Sequence, residues 1–520
     1  MKSDRTSLKL LTAATAFAAL AVGGAPAFAA SQTPANTLID GTTDTVTALD
    51  PAGQYDFGSD TADRNIFQHL LVIPPGGGVP VPELATKCAA GPTEAVWTCE
   101  LRHGVTFQNG DKFTATDVKY SFDRVKKIKD SSGIWTLLKN LDSVTIDNPY
   151  QVTFHLKKPQ ATWDYILGTS ASYIVDHKVY PADKILPSTD KQVGTGPYEL
   201  VKYAPGQTAV FRAWKGYWGT PPKTPNLIIS YFSKSSTMKL ALQRGELDMV
   251  FRTFSPTELQ SLEKQKDLKV WKGPGVAIRY LVFNTQRKPT SQLAVRQAIA
   301  SLMPREQIAK GVYHGFVQPL YSMVPAGLPG HVDAFAKLYG AEPNPAEAKK
   351  FLTDAGIKTP VDITLWWTPS HYGSASAEEY TTIKRALEAS GLFKVTLKSS
   401  EWATYAKTLG KQYNAYQLGW FPDYPDAENY LLPFYPTTNF LSNGYSDPKM
   451  DKLLTEEQTA KTHEERMKYV EEAQMLAAKD VPIIPYYQGS MVAVANKDVQ
   501  GIKSTLDTAF VMRFWMLSKS

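Results

Sequence analysis

Leu101-Arg102-His103-Gly104-Val105-Thr106-Phe107-Gln108-Asn109-Gly110-Asp111-Lys112-Phe113-Thr114-Ala115-Thr116-Asp117-Val118 packs three structural signals into one short stretch. Leu101 to Phe107 alternates apolar and polar residues, the period of a half-buried strand. Asn109-Gly110 is a strong hairpin-turn pair, because both positions tolerate positive φ. Thr114 followed three residues on by Asp117 echoes a capping box, and Val118, Phe122 and Val125 recur at helical spacing. A strand, a tight turn and a capped helix in immediate succession predict a mixed α/β chain.

The same alternation extends in both directions. Upstream, the runs ending at Cys88 and Cys99 read as paired strands around the turn Ala90-Gly91-Pro92, which would set the two sulfurs side by side. A disulfide there closes a short loop and is expected to add about 2–3 kcal/mol; two free buried thiols are the alternative. Pro74-Pro75-Gly76-Gly77-Gly78 reads as a surface turn. Downstream, Tyr150 to Leu156 reads as a strand, and Ser236 to Arg244 as a helix stopped by Gly245 before the buried strand Met249-Val250-Phe251. Arg279 to Phe283 and Ile363 to Trp367 are further strands. Val295, Ala298, Ile299 and Leu302 mark a helix, Asn344-Pro345 opens another that Gly356 closes, and two more run from about 448 to 460 and from 464 to 478.

The N-terminus reads differently. Lys2, Arg5 and Lys9 precede the apolar run Leu10 to Val22, and Ala27-Phe28-Ala29 supplies the small residues of a cleavage site. This is the pattern of a secretory signal over residues 1–29. A membrane anchor is the alternative, weakened by Gly23, Gly24 and Pro26, which interrupt the apolar run. No cysteine precedes Cys88, so the lipid-modified cysteine of a lipoprotein is not expected. The remaining chain of about 490 residues is long enough for two or three domains, and its balance of basic and acidic residues is +4. That mild charge, without a basic block, argues against a nucleic-acid partner.

Motifs of catalysis are missing. The sequence holds no G-x-S-x-G elbow, no H-E-x-x-H, no phosphate loop and no C-x-x-C, and its eight histidines show no metal-ligand spacing. The expectation is a binding protein, not an enzyme, with no cofactor and no metal.

Several segments resemble the peptide/nickel class of extracellular solute-binding proteins, the receptors of dipeptide and oligopeptide ABC importers. They are the 101–118 stretch with Tyr120-Ser121-Phe122, then Gly194-Thr195-Gly196-Pro197-Tyr198, Trp214 to Gly219, Gly245-Glu246-Leu247-Asp248, and Leu281 to Thr285. Val295 to Ile299, Gly419 to Tyr424 and Asp480 to Pro485 complete the series. Their order and spacing cover the chain from about Thr37 to its end. The resemblance implies a type II periplasmic-binding-protein fold with two lobes, an extra inserted domain and a ligand cleft between the lobes. It divides the chain into lobe I (30–71, 193–274 and 492–520), an inserted smaller domain (72–192) and lobe II (275–491). It also implies a monomer, periplasmic or extracellular, that hands a di- or oligopeptide to ABC permease subunits and their cytoplasmic ATPases. Within that fold nickel chelates, haem and oligosaccharides are rival ligands; a secreted peptidase or a peptide-binding chaperone is the rival of another class.

Site residues follow from the same resemblance. Asp423 stands where peptide-binding relatives place the aspartate that meets the ligand's α-ammonium; capping a turn is its alternative role. Trp402 matches a tryptophan that packs on a ligand side chain, one residue short of the family spacing. Trp420 is expected to wall the same pocket, with a core position as the alternative for both rings. Phe57, Gly58, Ser59 and Asp60 match a segment that meets an extended ligand backbone, and Tyr55 and Ser59 alternatively decorate a surface turn. Trp366 and Trp367 alternate along a strand, so one of them at most reaches the cleft; Trp366 is carried as the candidate. Between Trp402 and Asp423 this chain has Lys407 and Lys411 but no arginine, which leaves the anchor of the ligand carboxylate and the ligand length open.

Overall fold

The computed structural model describes residues 36–519 apart from 370, 374 and 411; the expected export signal at 1–29 lies outside the described residues. Three sheets organise the chain. A seven-stranded mixed sheet has the order Leu268–Gly273, Met491–Asn496, Met249–Phe251, Thr37–Thr42, Asn226–Tyr231, Thr208–Ala213, Tyr198–Ala204. A six-stranded sheet has the order Val317–Pro319, Ile483–Gly489, Ile278–Phe283, Ala415–Trp420, Val361–Trp367, Phe393–Ser399. A four-stranded antiparallel sheet joins Ala85–Ala90, Val96–Leu101, Gln151–Leu156 and Leu141–Asn148.

Local chemistry explains the elements. Thr114 caps the helix Ala115–Ile128 in a full capping box with Asp117, and Val118, Phe122 and Val125 are buried on its inner face. Asn344 accepts from Glu347 N–H at 3.1 Å ahead of Pro345, which opens the helix Pro345–Asp354. Every residue of Ile278–Phe283 is buried, because that strand is covered on both faces: Ile278, Tyr280 and Val282 join one core, Leu281 and Phe283 another.

One expected strand is absent. Leu101 ends the strand Val96–Leu101, and the chain turns at Gly104, whose φ is +79°. Leu101, Val105 and Phe107 are buried as their alternation requires, and the turn at Asn109-Gly110 forms, with Phe107 N–H donating to Asp111 O at 2.7 Å and Phe113 N–H to Val105 O at 3.1 Å. Its arms pair through the single bridge Thr106–Lys112, and no regular strand runs from 101 to 107. Alternation fixed which side chains point inward, and a positive-φ glycine broke the ladder. Cys88 and Cys99 face each other across their hairpin and form a disulfide, which removes the free-thiol alternative. Pro74 to Gly78 is a partly exposed loop, pinned by Gly76 N–H donating to Asp507 Oδ2 at 2.8 Å.

The chain crosses between the seven-stranded and six-stranded sheets at two adjacent places. One is the stretch from Gly273 to Ile278; the other is the single residue Ser490 between Ile483–Gly489 and Met491–Asn496. Here Gly489 N–H donates to Ala277 O at 2.8 Å, and a Cβ on Gly275 would lie 2.1 Å from Gly489 O. Only glycine permits so close a backbone approach.

Candidate functional site

A cavity of about 820 Å³ opens between segments attached to the two large sheets. One wall is Gln54 to Phe57, Asp60 and Arg64, with Ala509 and Phe510; the other runs through Trp402, Lys407 and the stretch Leu418 to Asp423, with His371 and Tyr372 beside it.

The first wall is built on a helix start. Asp56 caps the helix Phe57–Ile66: its Oδ1 accepts from Ser59 N–H at 2.8 Å and its Oδ2 from the Ser59 hydroxyl at 2.8 Å. The Thr47 hydroxyl donates to the same Oδ2. Asp60 lies one turn along, paired with Arg64 at 2.6 Å and accepting from the Tyr173 hydroxyl at 3.0 Å. Phe57 packs against Phe421 of the opposite wall, ring centroids 5.6 Å apart, while Arg252 lies over its face at 4.3 Å.

The second wall is delivered by a central strand. Ala415–Trp420 sits between Ile278–Phe283 and Val361–Trp367 and ends at the cavity. Gly419 is required there, because the Arg279 guanidinium passes where a Cβ would stand, 1.6 Å from Nη1. The chain then leaves the sheet through Phe421 and Pro422 and presents Asp423, half-buried, to the cavity. Asn429, on the short helix Glu428–Leu431, fixes this turn. Its Oδ1 accepts from Asp423 N–H at 2.9 Å and from Trp420 Nε1 at 3.1 Å, and its Nδ2 donates to Asp423 Oδ2 at 3.2 Å. The Tyr55 hydroxyl, from the other wall, donates to Asp423 Oδ1. Burial pushes the Asp423 carboxyl above the usual aspartate range, and the Tyr55 and Asn429 donors pull it part of the way back. Among the described residues no Lys, Arg or His forms an ion pair with it.

The aromatic lining has its own order. Trp402 starts the helix Trp402–Thr408, and its ring stacks on His371 with centroids 3.6 Å apart and planes 3° off parallel. Burial, and secondarily the Arg279 charge, push the His371 imidazole down to about 4, so it is neutral at pH 7. Trp420 lines the cavity with one edge while meeting Phe434 edge-on at 5.2 Å.

The residues expected from sequence thus separate. Asp423, Trp402, Trp420, Phe57 and Asp60 lie on the cavity. Gly58 and Ser59 do not: Ser59 is buried in the cap, accepting from Thr47 N–H at 2.9 Å, and a Cβ on Gly58 would meet Thr45 O at 2.1 Å. Their segment is a helix start and offers no extended main chain. Trp366 is also off the lining; it stacks on Tyr413 at 4.3 Å, while Trp367 packs near Tyr380 on the opposite face of the strand. Lys407 lines the cavity; Lys411 lies outside the described residues. Sequence reading missed Asn429, Arg64 and His371. It also left Tyr55 as a surface side chain, and none of these carries a local signal that marks it. Asn429 is a buried amide on a one-turn helix, and only its partners reveal its purpose.

Comparison with known proteins sets this geometry in a family. The model of bacterial extracellular solute-binding proteins, family 5 (middle), matches residues 79–442. A di/tripeptide-binding protein of Pseudomonas aeruginosa is 27% identical over 484 residues, covering 88% of this chain and 90% of that protein. Among solved structures, the periplasmic binding protein DppA of Helicobacter pylori, in complex with the peptide STSA, aligns with a TM-score of 0.74 at 24% identity, over 93% of this chain and 98% of that one. The murein tripeptide binding protein MppA in its unliganded open form aligns with a TM-score of 0.82 at 20% identity, over 94% and 98%. The fold is therefore the two-lobed type II binding-protein fold, and the chain belongs to the family 5 bacterial extracellular solute-binding proteins.

Proposed function

We propose that this chain is the exported receptor of an ABC importer and that it closes two lobes on a short peptide whose α-ammonium pairs with Asp423. The observation that carries the reading is a half-buried carboxylate on the cavity wall, held among the described residues by neutral donors only. A bare charge in a closing cleft is costly, and an incoming ammonium removes that cost. The names of relatives point the same way, since they are said to bind di- and tripeptides.

The two lobes follow the seven-stranded and six-stranded sheets, with the four-stranded sheet as the inserted domain, and the paired crossings at Gly273–Ile278 and Ser490 are the hinge. Ligand binds the closed arrangement better and so shifts the balance toward it, and the permease reads that shape. Lys407, exposed on the cavity wall and without an ion pair among the described residues, is the side chain best placed to meet the ligand carboxylate; Arg64 is committed to Asp60. Cleavage of the export signal, a periplasmic or extracellular location and a monomeric state complete the proposal.

The test is calorimetric titration with matched free and N-acetylated di- and tripeptides. Free peptides should bind and acetylated ones should not. Equal binding of both removes Asp423 from the role. Recovery of the peptides intact after prolonged incubation separates a receptor from a peptidase.

A further inference from the structure

The charges on the cavity do not balance. Asp56, Asp60 and Asp423 line it, against Arg64 and Lys407, and His371 is neutral at pH 7. Asp60 and Arg64 cancel in their own pair. What remains is two carboxylates, Asp56 and Asp423, facing one exposed lysine. Neither has an ion-pair partner among the described residues. Asp56 is held by three neutral donors, the Ser59 amide and the Ser59 and Thr47 hydroxyls, which stabilise its charge without neutralising it. It is half-buried on the cavity side of the helix start. Both acids line the one cavity, Asp56 at the helix start and Asp423 on the opposite wall, where it also accepts from the hydroxyl of Tyr55, the residue next to Asp56 in the chain.

We infer that the cavity selects peptides carrying a second cation, a lysine- or arginine-type side chain that pairs with Asp56 while the α-ammonium pairs with Asp423. This rests on the proposed role of Asp423 and adds a substrate class to it. An α-ammonium and a basic side chain on one short peptide would present two cations to the two acids that line the same cavity. The ligand carboxylate is left to Lys407, so a peptide with two cations and one anion matches the unpaired charges of the cavity one for one. A neutral side chain leaves Asp56 in the closing cleft without a counter-charge, and an acidic one adds repulsion.

The experiment is titration calorimetry with four tripeptides, Lys-Ala-Ala, norleucine-Ala-Ala, Ala-Ala-Ala and Glu-Ala-Ala, together with Ala-Lys-Ala. Norleucine keeps the length and apolar stem of lysine and lacks its charge. Whichever lysine peptide binds better should exceed the norleucine peptide by about fivefold, the scale of a partly exposed ion pair, and the excess should shrink in high salt. Asp56→Asn, which keeps a good helix cap, should bring that ratio close to one. Norleucine binding as tightly as lysine in the natural protein overturns the inference, as does a ratio that survives Asp56→Asn in a folded variant. The natural-protein ranking stands even if the variant fails to fold. Loss of binding to every free peptide fails the Asp423 reading itself and takes this inference with it, whereas tight binding without charge preference fails the inference alone.

Discussion

Asp423 and Asp426 stand three residues apart and meet opposite surroundings. Asp426 is buried against Arg466, whose Nη1 donates to Oδ2 at 2.9 Å, and the same guanidinium reaches Glu457 at 2.7 Å through Nε. Glu428 sits beside them, pushed up by burial first and then by Glu457, and it accepts a hydrogen bond from Tyr424. Asp423, at the cavity, has two neutral donors and, among the described residues, no cation. The fold supplies the one acid with its counter-charge and, among the described residues, supplies the other with none. Burial of an acid therefore does not distinguish structure from binding; the identity of its partners does.

That contrast can be broken by mutation. Arg466→Met strands Asp426 and Glu457 without a cation and should cost about 3–5 kcal/mol of stability, read as a lowered denaturant midpoint. Asp423→Asn should do the reverse. It should weaken binding of unblocked peptides by about 2–5 kcal/mol in titration calorimetry. It should not lower the stability of the peptide-free protein. A carboxyl whose folded pKa is raised stabilises the fold while protonated, below its unfolded pKa, and that contribution is lost as pH rises through the folded value. At neutral pH the neutral asparagine is thus the better fit for a protein with no ligand.

Asn429→Ala removes the side chain that orients Asp423 and accepts from Trp420. A loss of about 1–3 kcal/mol in peptide affinity is expected, and Asn429→Asp should not rescue it, because a second acid would face the first. The smallest effect is that of pH. Binding an ammonium requires the Asp423 carboxylate, so affinity for free peptides should fall as pH drops through its raised pKa, with a proton released on binding in that range. Calorimetry in two buffers of different ionisation heat reads that proton directly, and a flat profile down to the ordinary aspartate range would contradict the raised value.

How much of this the sequence disclosed depended on how local each signal was. The capping box at Thr114 and Asp117, the cystine hairpin and the helix after Asn344-Pro345 are decided within a few residues, and all are present as read. Asp423 and Trp402 were found through the motif around Trp420. The strand expected over Leu101 to Phe107 was lost because alternation reports burial, which Gly104 preserves while ending the ladder. Trp366 and Trp367 were narrowed by alternation, but no rule of spacing tells which face of a strand looks into a cleft formed by a distant part of the chain. The partners that define the two acids are of that distant kind: Tyr55 reaches Asp423 from near the start of the chain, and Arg466 reaches Asp426 from a later helix.

The glycine contact where the two large sheets exchange their chains carries a mechanical consequence. Two backbones pressed together at Gly275 and Gly489, with no side chain between them, form a two-ply strap. If the two walls swing about this strap as proposed, the paired backbones confine the bend to one place and each swing would return the walls in the same register. Bulk inserted at Gly275 would pry the plies apart and blur that register, so that a protein with every contact residue intact would grip its cargo at a wandering angle.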